Sequence, residues 1–72
     1  MWHNNKLVLQ TFASHHGQNA WANIEGLGWK KIKPNAADGV TNLFILMNAA
    51  KANGRRVNVH LDADQIDIAY ML

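Results

Sequence analysis

The sequence contains no cysteine and only one proline among its 72 residues. Without cysteine the chain can form neither a disulfide nor a cysteine-ligated zinc site, two common ways of stabilising a small domain. A domain of this size buries only about 60% of the surface of its unfolded chain, and oligomerisation is another common source of stability. We therefore expect a single domain, residues 1–72, that binds other copies of itself.

Charge is scarce as well. Charged residues make up 17% of the sequence, whereas soluble domains average about 25%. The net charge of +2 is too small to indicate a nucleic-acid partner by itself. No apolar run reaches the ~18 residues of a membrane span, and no apolar signal segment follows the polar start MWHNNK. These absences predict a soluble cytoplasmic protein with no membrane partner.

Motifs of catalysis and of cofactor binding are also missing. The sequence has no nucleophile elbow, no Walker loop, no HExxH and no dinucleotide-binding glycine motif. Ser14 lies beside His15, but neighbours in sequence seldom have the geometry of a catalytic pair. We therefore predict that the protein is not an enzyme and uses no cofactor.

Two groups of residues have side chains that can ligate metals, but neither has the spacing of a metal site. His15 and His16, which might combine with His3 and His60, are adjacent, and adjacent side chains of a strand point to opposite faces. The acidic turn at residues 62–67 lacks the glycine and the glutamate of a calcium-binding EF-hand loop. We therefore expect a polar hairpin tip and a solvated turn, and no metal.

Patterns of apolar residues predict an α+β fold in the order β-β-β-α-β-β. The helix is expected at residues 41–53. Asp38 or Thr41 should cap its start, and Gly54 suits the left-handed position after its end. The strands are expected at residues 6–12, 19–25, 29–33, 56–62 and 65–72.

The last two strands, VNVHLD and QIDIAYML, show the most regular alternation in the sequence. Side chains of a strand alternate between its two faces, so each strand should present one apolar face to the core. The residues expected on these inward faces are Val57, Val59 and Leu61 in the first strand and Ile66, Ile68, Tyr70 and Leu72 in the second.

The helical segment NLFILMNAAKANG is apolar on two sides. At about 100° per residue, Phe44 and Ile45 fall outside the stripe that would face the core. Either loops cover this second side, or it contacts other copies of the chain. We favour a cyclic homo-oligomer, in which every subunit reuses one pair of patches. The expected core stripe is Leu43, Leu46, Met47 and Ala50, and the expected contact residues are Phe44, Ile45, Asn48, Ala49 and Ala52.

Five strands with one helix between the third and the fourth is the order of a Greek-key OB-fold barrel. The C-terminal half adds a helix ending in AKANGRRV, the strand VNVHLD, an acidic turn and the closing strand QIDIAYML. In this pattern the chain resembles the B subunits of bacterial A-B toxins and the small bacterial OB-fold proteins similar to them. The resemblance implies a small five-stranded antiparallel OB-fold-like barrel whose helix lines a ring, typically a pentamer.

The toxin subunits are secreted and carry a disulfide, whereas this sequence shows no signal segment and no cysteine. The resemblance therefore extends to the barrel and the ring only. In its short length and general character, the chain also resembles proteins encoded on integron gene cassettes.

The expected function is binding of a small molecule, a glycan or a protein, mainly by loops held on a rigid scaffold. The candidate residues are His15, His16, Gln18, Asn19, Trp21 and Trp29. The alternative is a single-stranded nucleic-acid binder, because OB-folds hold such strands in a basic groove with stacking aromatic side chains. For that function, the stacking residues would be Phe12, Trp21 and Trp29, and the basic residues would be Lys30, Lys31, Lys33, Arg55 and Arg56.

Overall fold

One antiparallel sheet of five strands and one helix make up the structure, a computed structural model that describes residues 1–72 except for the side chain of residue 37. The α+β class and the order of elements are as predicted. The helix described here is too short to cross a membrane. The elements are β1 (Trp2–Ala13), β2 (Ala20–Ile24), β3 (Gly28–Lys31), α1 (Ala37–Asn53), β4 (Arg56–Asp62) and β5 (Gln65–Met71).

The strands are arranged in the order β3-β2-β1-β4-β5. The long β1 is central, and it pairs with β4 through its first half and with β2 through its second. The edge strands meet at a single parallel bridge between Ile32 and Ile66, where the Lys33 N–H donates to the Ile66 carbonyl at 2.8 Å. The sheet is therefore curled but not closed, unlike the barrel that the sequence predicted.

Two irregularities bend β1. Its register against β4 shifts between His3 and Lys6, and its register against β2 shifts between Val8 and Gln10. At the first shift Asn5 has a positive φ of 60°, and its N–H donates to Oδ1 of the buried Asn58 at 2.8 Å. The Asn58 side chain thus accepts a hydrogen bond from a backbone N–H that has no partner in the regular ladder. The bend at this point allows β1 to pair with both β4 and β2.

The core lies between the concave face of the sheet and α1. Its two clusters are joined by the partly buried Leu43, which packs against both. The larger contains Val8, Ala22, Ile24, Met47, Ala50, Val57, Val59 and Ile66. The smaller contains Ala20, Ile32 and Val40.

The helix begins at residue 37, four residues before the predicted start. Its N-cap is Ala36, which makes no side-chain capping hydrogen bond, so the prediction of a cap at Asp38 or Thr41 is wrong. Asp38 instead lies in the first turn, where a negative charge is favoured by the helix dipole. The predicted end is confirmed, because Gly54 follows Asn53 with φ 61° and ψ 29°.

The helix divides between core and surface largely as predicted. Met47 and Ala50 are buried, and Leu43 and Leu46 pack against the larger cluster. Phe44 is the exception, because the early start of α1 brings Val40 into the core and Phe44 packs against the smaller cluster that contains it. The expected contact surface is therefore reduced to the exposed Ile45, Asn48 and Ala52 with the half-buried Ala49.

The inward face predicted for β5 is wrong beyond Ile66. The register against β4 shifts, so that Leu61 pairs with Ile66 but His60 pairs with Ile68. Asp67 is thus an extra residue, and every later side chain changes face. Ala69 and Met71 pack against the core, whereas the apolar residues expected there are exposed: Ile68, Tyr70 and Leu72.

Candidate functional site

Three aromatic side chains lie close together at one end of the convex face of the sheet. Alternation along β2 buries Ala20, Ala22 and Ile24, so Trp21 between them points away from the core. Phe12 pairs with Trp21 across β1 and β2. Trp29, on β3, pairs with Asn23, two residues after Trp21 and on the same face. We call the depression lined by Phe12, Asn19, Trp21 and Trp29 the aromatic pocket.

The aromatic pocket has a volume of about 500 Å³, which is within the usual range for small-molecule sites. Its rings leave apolar surface open, since Phe12 and Trp29 are exposed despite their size. A small domain would bury such side chains if they served only its stability. Their exposure around one depression therefore indicates a candidate binding site.

Hydrogen bonds fix the polar edge of the pocket. Asn19 Oδ1 accepts from Trp21 Nε1 at 2.9 Å and from Lys31 Nζ at 3.3 Å, and Asn19 Nδ2 donates to Ser14 Oγ at 2.8 Å. Lys31 Nζ also lies 5.5 Å from the centroid of the Trp21 ring. The orientation of Trp21 is thus set before any ligand arrives.

Two amide side chains extend the same face. Asn23 pairs with both Gln10 and Trp29 across the sheet, and its Nδ2 donates to Gln10 Oε1 at 3.0 Å. The surface beside the rings therefore offers amide donors and acceptors without a carboxylate among these residues. Such groups can bind neutral polar ligands by hydrogen bonds.

The hairpin tip lies outside the pocket. His15 and His16 stack on each other with ring centroids 4.5 Å apart, and Ser14 Oγ lies 3.0 Å from His16 Nδ1. Gln18 accepts a hydrogen bond from the backbone N–H of Asn35. Of the expected ligand-binding residues, Asn19, Trp21 and Trp29 therefore line the pocket, whereas His15, His16 and Gln18 do not. Phe12, expected only to stack bases, completes it.

The basic residues proposed for nucleic acid do not form a groove. Lys30 and Lys33 bind the acidic turn between β4 and β5, through Asp64 at 2.8 Å and through Asp62. The bond with Lys33 lowers the pKa of the Asp62 carboxyl and raises the pKa of Lys33. Both side chains are exposed, so this pair contributes little to stability.

The arginines are engaged elsewhere. Arg56 binds Glu25 and the Asn5 carbonyl, each at 3.0 Å, and Arg55 donates to the Leu72 carbonyl. Among the residues that the structure describes, Lys31 remains as a cation beside the aromatic pocket. The pocket is therefore close to neutral, because most neighbouring positive charges are balanced within the protein.

Metal ligands are not assembled among the described residues, which contain no group of three or more histidines and acidic residues placed to hold an ion. His60 Nδ1 lies 2.7 Å from Asp67 Oδ1. The sequence leaves open whether Trp2 is part of a tail or docks on a neighbour, and the structure places it at the start of β1. Its ring lies 5.3 Å from that of His60 and 5.7 Å from that of Tyr70.

Comparisons of this chain with family models, with curated proteins and with solved structures found no match. The resemblance to toxin B subunits and to integron cassette proteins therefore stays a prediction.

Proposed function

We propose that this protein is a non-enzymatic binding module whose ligand inserts a neutral ring, such as a sugar, into the aromatic pocket. The observation that carries this proposal is the exposure of Phe12 and Trp29 beside the half-buried Trp21, around one depression on the convex face. Rings of this size would otherwise cost free energy by remaining in water. A ligand that covers them recovers that free energy.

The chemistry around the pocket favours a neutral polar ligand. The apolar face of a sugar can lie against an indole, while its hydroxyl groups bind amides such as Asn23 and Gln10. The hydrogen bonds to Asn19 hold Trp21 in place, so less side-chain entropy is lost on binding. A carboxylate ligand would be served only by Lys31, and a phosphate would find few free cations.

The position of the pocket suits an OB-fold, which we propose as the fold. OB-folds are partly open barrels that bind oligosaccharides and oligonucleotides on the face of their second and third strands. The pocket includes Trp21 of β2 and Trp29 of β3, and the single bridge between Ile32 and Ile66 brings the edge strands together. The strand order supports this proposal without closing the sheet.

Single-stranded nucleic acid is the second candidate. The rings of Phe12, Trp21 and Trp29 lie on adjacent strands, as stacking platforms do, and Lys31 is beside them. Against it, Lys30, Lys33, Arg55 and Arg56 are bonded within the protein. Neutral ligands are therefore favoured over polyanions.

Tryptophan fluorescence distinguishes the two candidates. We expect a neutral oligosaccharide from a mixed panel to change the emission, with an affinity that varies by less than about twofold between low and high salt, because no counterions are released. Oligothymidylate is the matched polyanionic probe, and we expect no binding at low salt. Salt-sensitive binding of oligothymidylate without any response to the oligosaccharides would contradict the sugar assignment.

We also propose that the subunits associate into a cyclic homo-oligomer through the exposed side of α1. Ile45 is 63% exposed, and the small Ala49 and Ala52 beside it would let another subunit approach closely. Asn48 accepts a 2.6 Å hydrogen bond from Thr11. Phe44 contributes only the part of its ring that the core leaves open.

Light scattering on Ile45→Asp tests this contact. Because Ile45 is exposed, the charge should leave the subunit folded while it separates the subunits that meet at α1, and the mass should fall below that of the wild type. Gln10→Asp, which adds the same charge on the convex face, should keep the wild-type mass. An oligomer that survives Ile45→Asp unchanged would exclude α1 as the contact.

A further inference from the structure

The free edge of β5 is the largest feature that neither the pocket nor the helix explains. β5 is the last strand of the sheet, and beyond Ile66 no described strand runs along its outer side. An edge strand presents unpaired backbone N–H and C=O groups, which can template pairing with another strand. Proteins usually protect such edges with lysine, proline or an inward charge.

The two edges of this sheet differ in that protection. β3, with the sequence GWKK, carries two lysines in four residues. The side chains of residues 68–72, IAYML, are uncharged, and none of these residues is a proline. The edge of β5 beyond Asp67 therefore lacks the charged residues that β3 carries in its sequence.

Apolar side chains flank the open edge on the convex face. We call Trp2, Ile68, Tyr70 and Leu72 the β5 patch. Trp2, His60 and Ile68 lie in one cross-strand row, and the Trp2 ring contacts that of Tyr70. At about half exposure, these four side chains leave on the order of 400 Å² open, given about 150–250 Å² for a large aromatic side chain.

We propose that β5 pairs antiparallel with β5 of a second copy, so that the two sheets join edge to edge about a two-fold axis. A stable interface buries about 800 Å² on each partner. Ile68, Tyr70 and Leu72 lie at the paired edge and supply part of this area, and the paired backbone with its adjoining side chains adds to it. Trp2, on β1, packs against Tyr70 behind them. A second copy fits best because it brings an edge that is equally uncharged.

Backbone directions limit the registers that are possible for this pair. The Leu72 N–H donates to the Arg56 carbonyl at 2.9 Å, so it points towards β4. Since alternate residues of a strand direct these groups to opposite sides, Ala69 and Met71 point theirs away from the sheet. We place the two-fold axis beside Ala69, the central residue of the free stretch 67–71, so that its N–H donates to the C=O of Ala69 in the second copy and its C=O accepts from that residue's N–H.

This register places Ile68 opposite Tyr70 of the second copy. Ile68 and Tyr70 of the second copy would form a non-hydrogen-bonded pair, in which the two Cα atoms lie about 4.5 Å apart. A β-branched residue opposite an aromatic residue is a favourable cross-strand pair. Both such pairs form at once, because the axis relates one to the other.

Mass measurements on charged variants test the pairing. Wild type should be an even multiple of 8.1 kDa, and Ile68→Lys should halve that mass. Leu9→Lys is the matched control, because Leu9 is 44% exposed and Ile68 is 49% exposed, but Leu9 belongs to the central strand. A monomeric or odd-numbered wild type overturns the proposal, as does an Ile68→Lys variant of unchanged mass.

Disulfide formation tests the register without a charged variant. The chain has no cysteine, so Ile68→Cys and Tyr70→Cys each introduce one thiol. Their equimolar mixture should oxidise to a covalent dimer, because 4.5 Å between Cα atoms is within the disulfide range. Each variant alone should give several-fold less dimer. Equal yields from the single variants and the mixture overturn this register.

Discussion

Replacing Met47 with alanine should lower the free energy of unfolding by about 2–5 kcal/mol, the range for truncating a buried methionine. Met47 has no exposed surface and lies in the larger core cluster between α1 and the sheet. A chain of this size has a total stability of about 4–11 kcal/mol, so the variant should lose much of its folded population. Urea denaturation followed by circular dichroism measures the change.

Ile45→Ala is the matched control for Met47→Ala. Both residues lie on α1, two positions apart, but Ile45 is 63% exposed. Measured at a concentration where the chains are separate, its replacement should change the free energy of unfolding by less than about 0.5 kcal/mol. Equal losses from the two variants would show that the two faces of α1 are not divided as described here.

Trp29→Ala should weaken binding at the aromatic pocket by roughly fivefold or more, because an aromatic stacking contact contributes about 1–3 kcal/mol. Trp29 lies on the edge strand β3 and is 45% exposed, so its loss should cost little stability. Titration followed by the emission of Trp21, with an oligosaccharide that binds the wild type, measures the dissociation constant. The same loss would be expected for a stacked base, so this variant tests the site independently of the ligand.

Trp2→Ala separates this effect from the general loss of a tryptophan. Trp2 is 44% exposed, nearly the same as Trp29, but it contacts His60 and Tyr70 instead of the pocket. Because distant sites usually act independently, the dissociation constant should change by less than about twofold. Binding that depends equally on Trp2 and Trp29 would place the ligand elsewhere on the convex face.

Most of the element order could be predicted from the sequence because it follows from periodicity. The alternation in VNVHLD and the turn glycine at residue 54 have direct physical causes, and both predictions hold. The start of α1 could not be predicted in this way, since Ala36 leaves no capping signal. The sequence also could not predict that the sheet stays open, because closure depends on how β1 bends at its two register shifts.

The site was predicted in part for a similar reason. The sequence identifies Trp21 and Trp29 as aromatic residues near turns, but only the pairing of β1 with β2 brings Phe12 beside them. Lysines close in sequence suggest a basic patch, yet the acidic turn at residues 62–64 lies against Lys30 and Lys33 in space. Contacts between segments that are distant in sequence therefore determine both the lining of the pocket and the pairing of the lysines.

The extra residue Asp67 determines which side chains of β5 belong to the β5 patch. Asp67 is one residue, so inserting or deleting one codon would exchange the two faces of the strand that follows it. With Asp67 present, the small and flexible Ala69 and Met71 fill the core, and Ile68 and Tyr70 remain outside. One inserted or deleted codon could thus create or remove the exposed apolar side chains beside the β5 edge, without altering any of those residues.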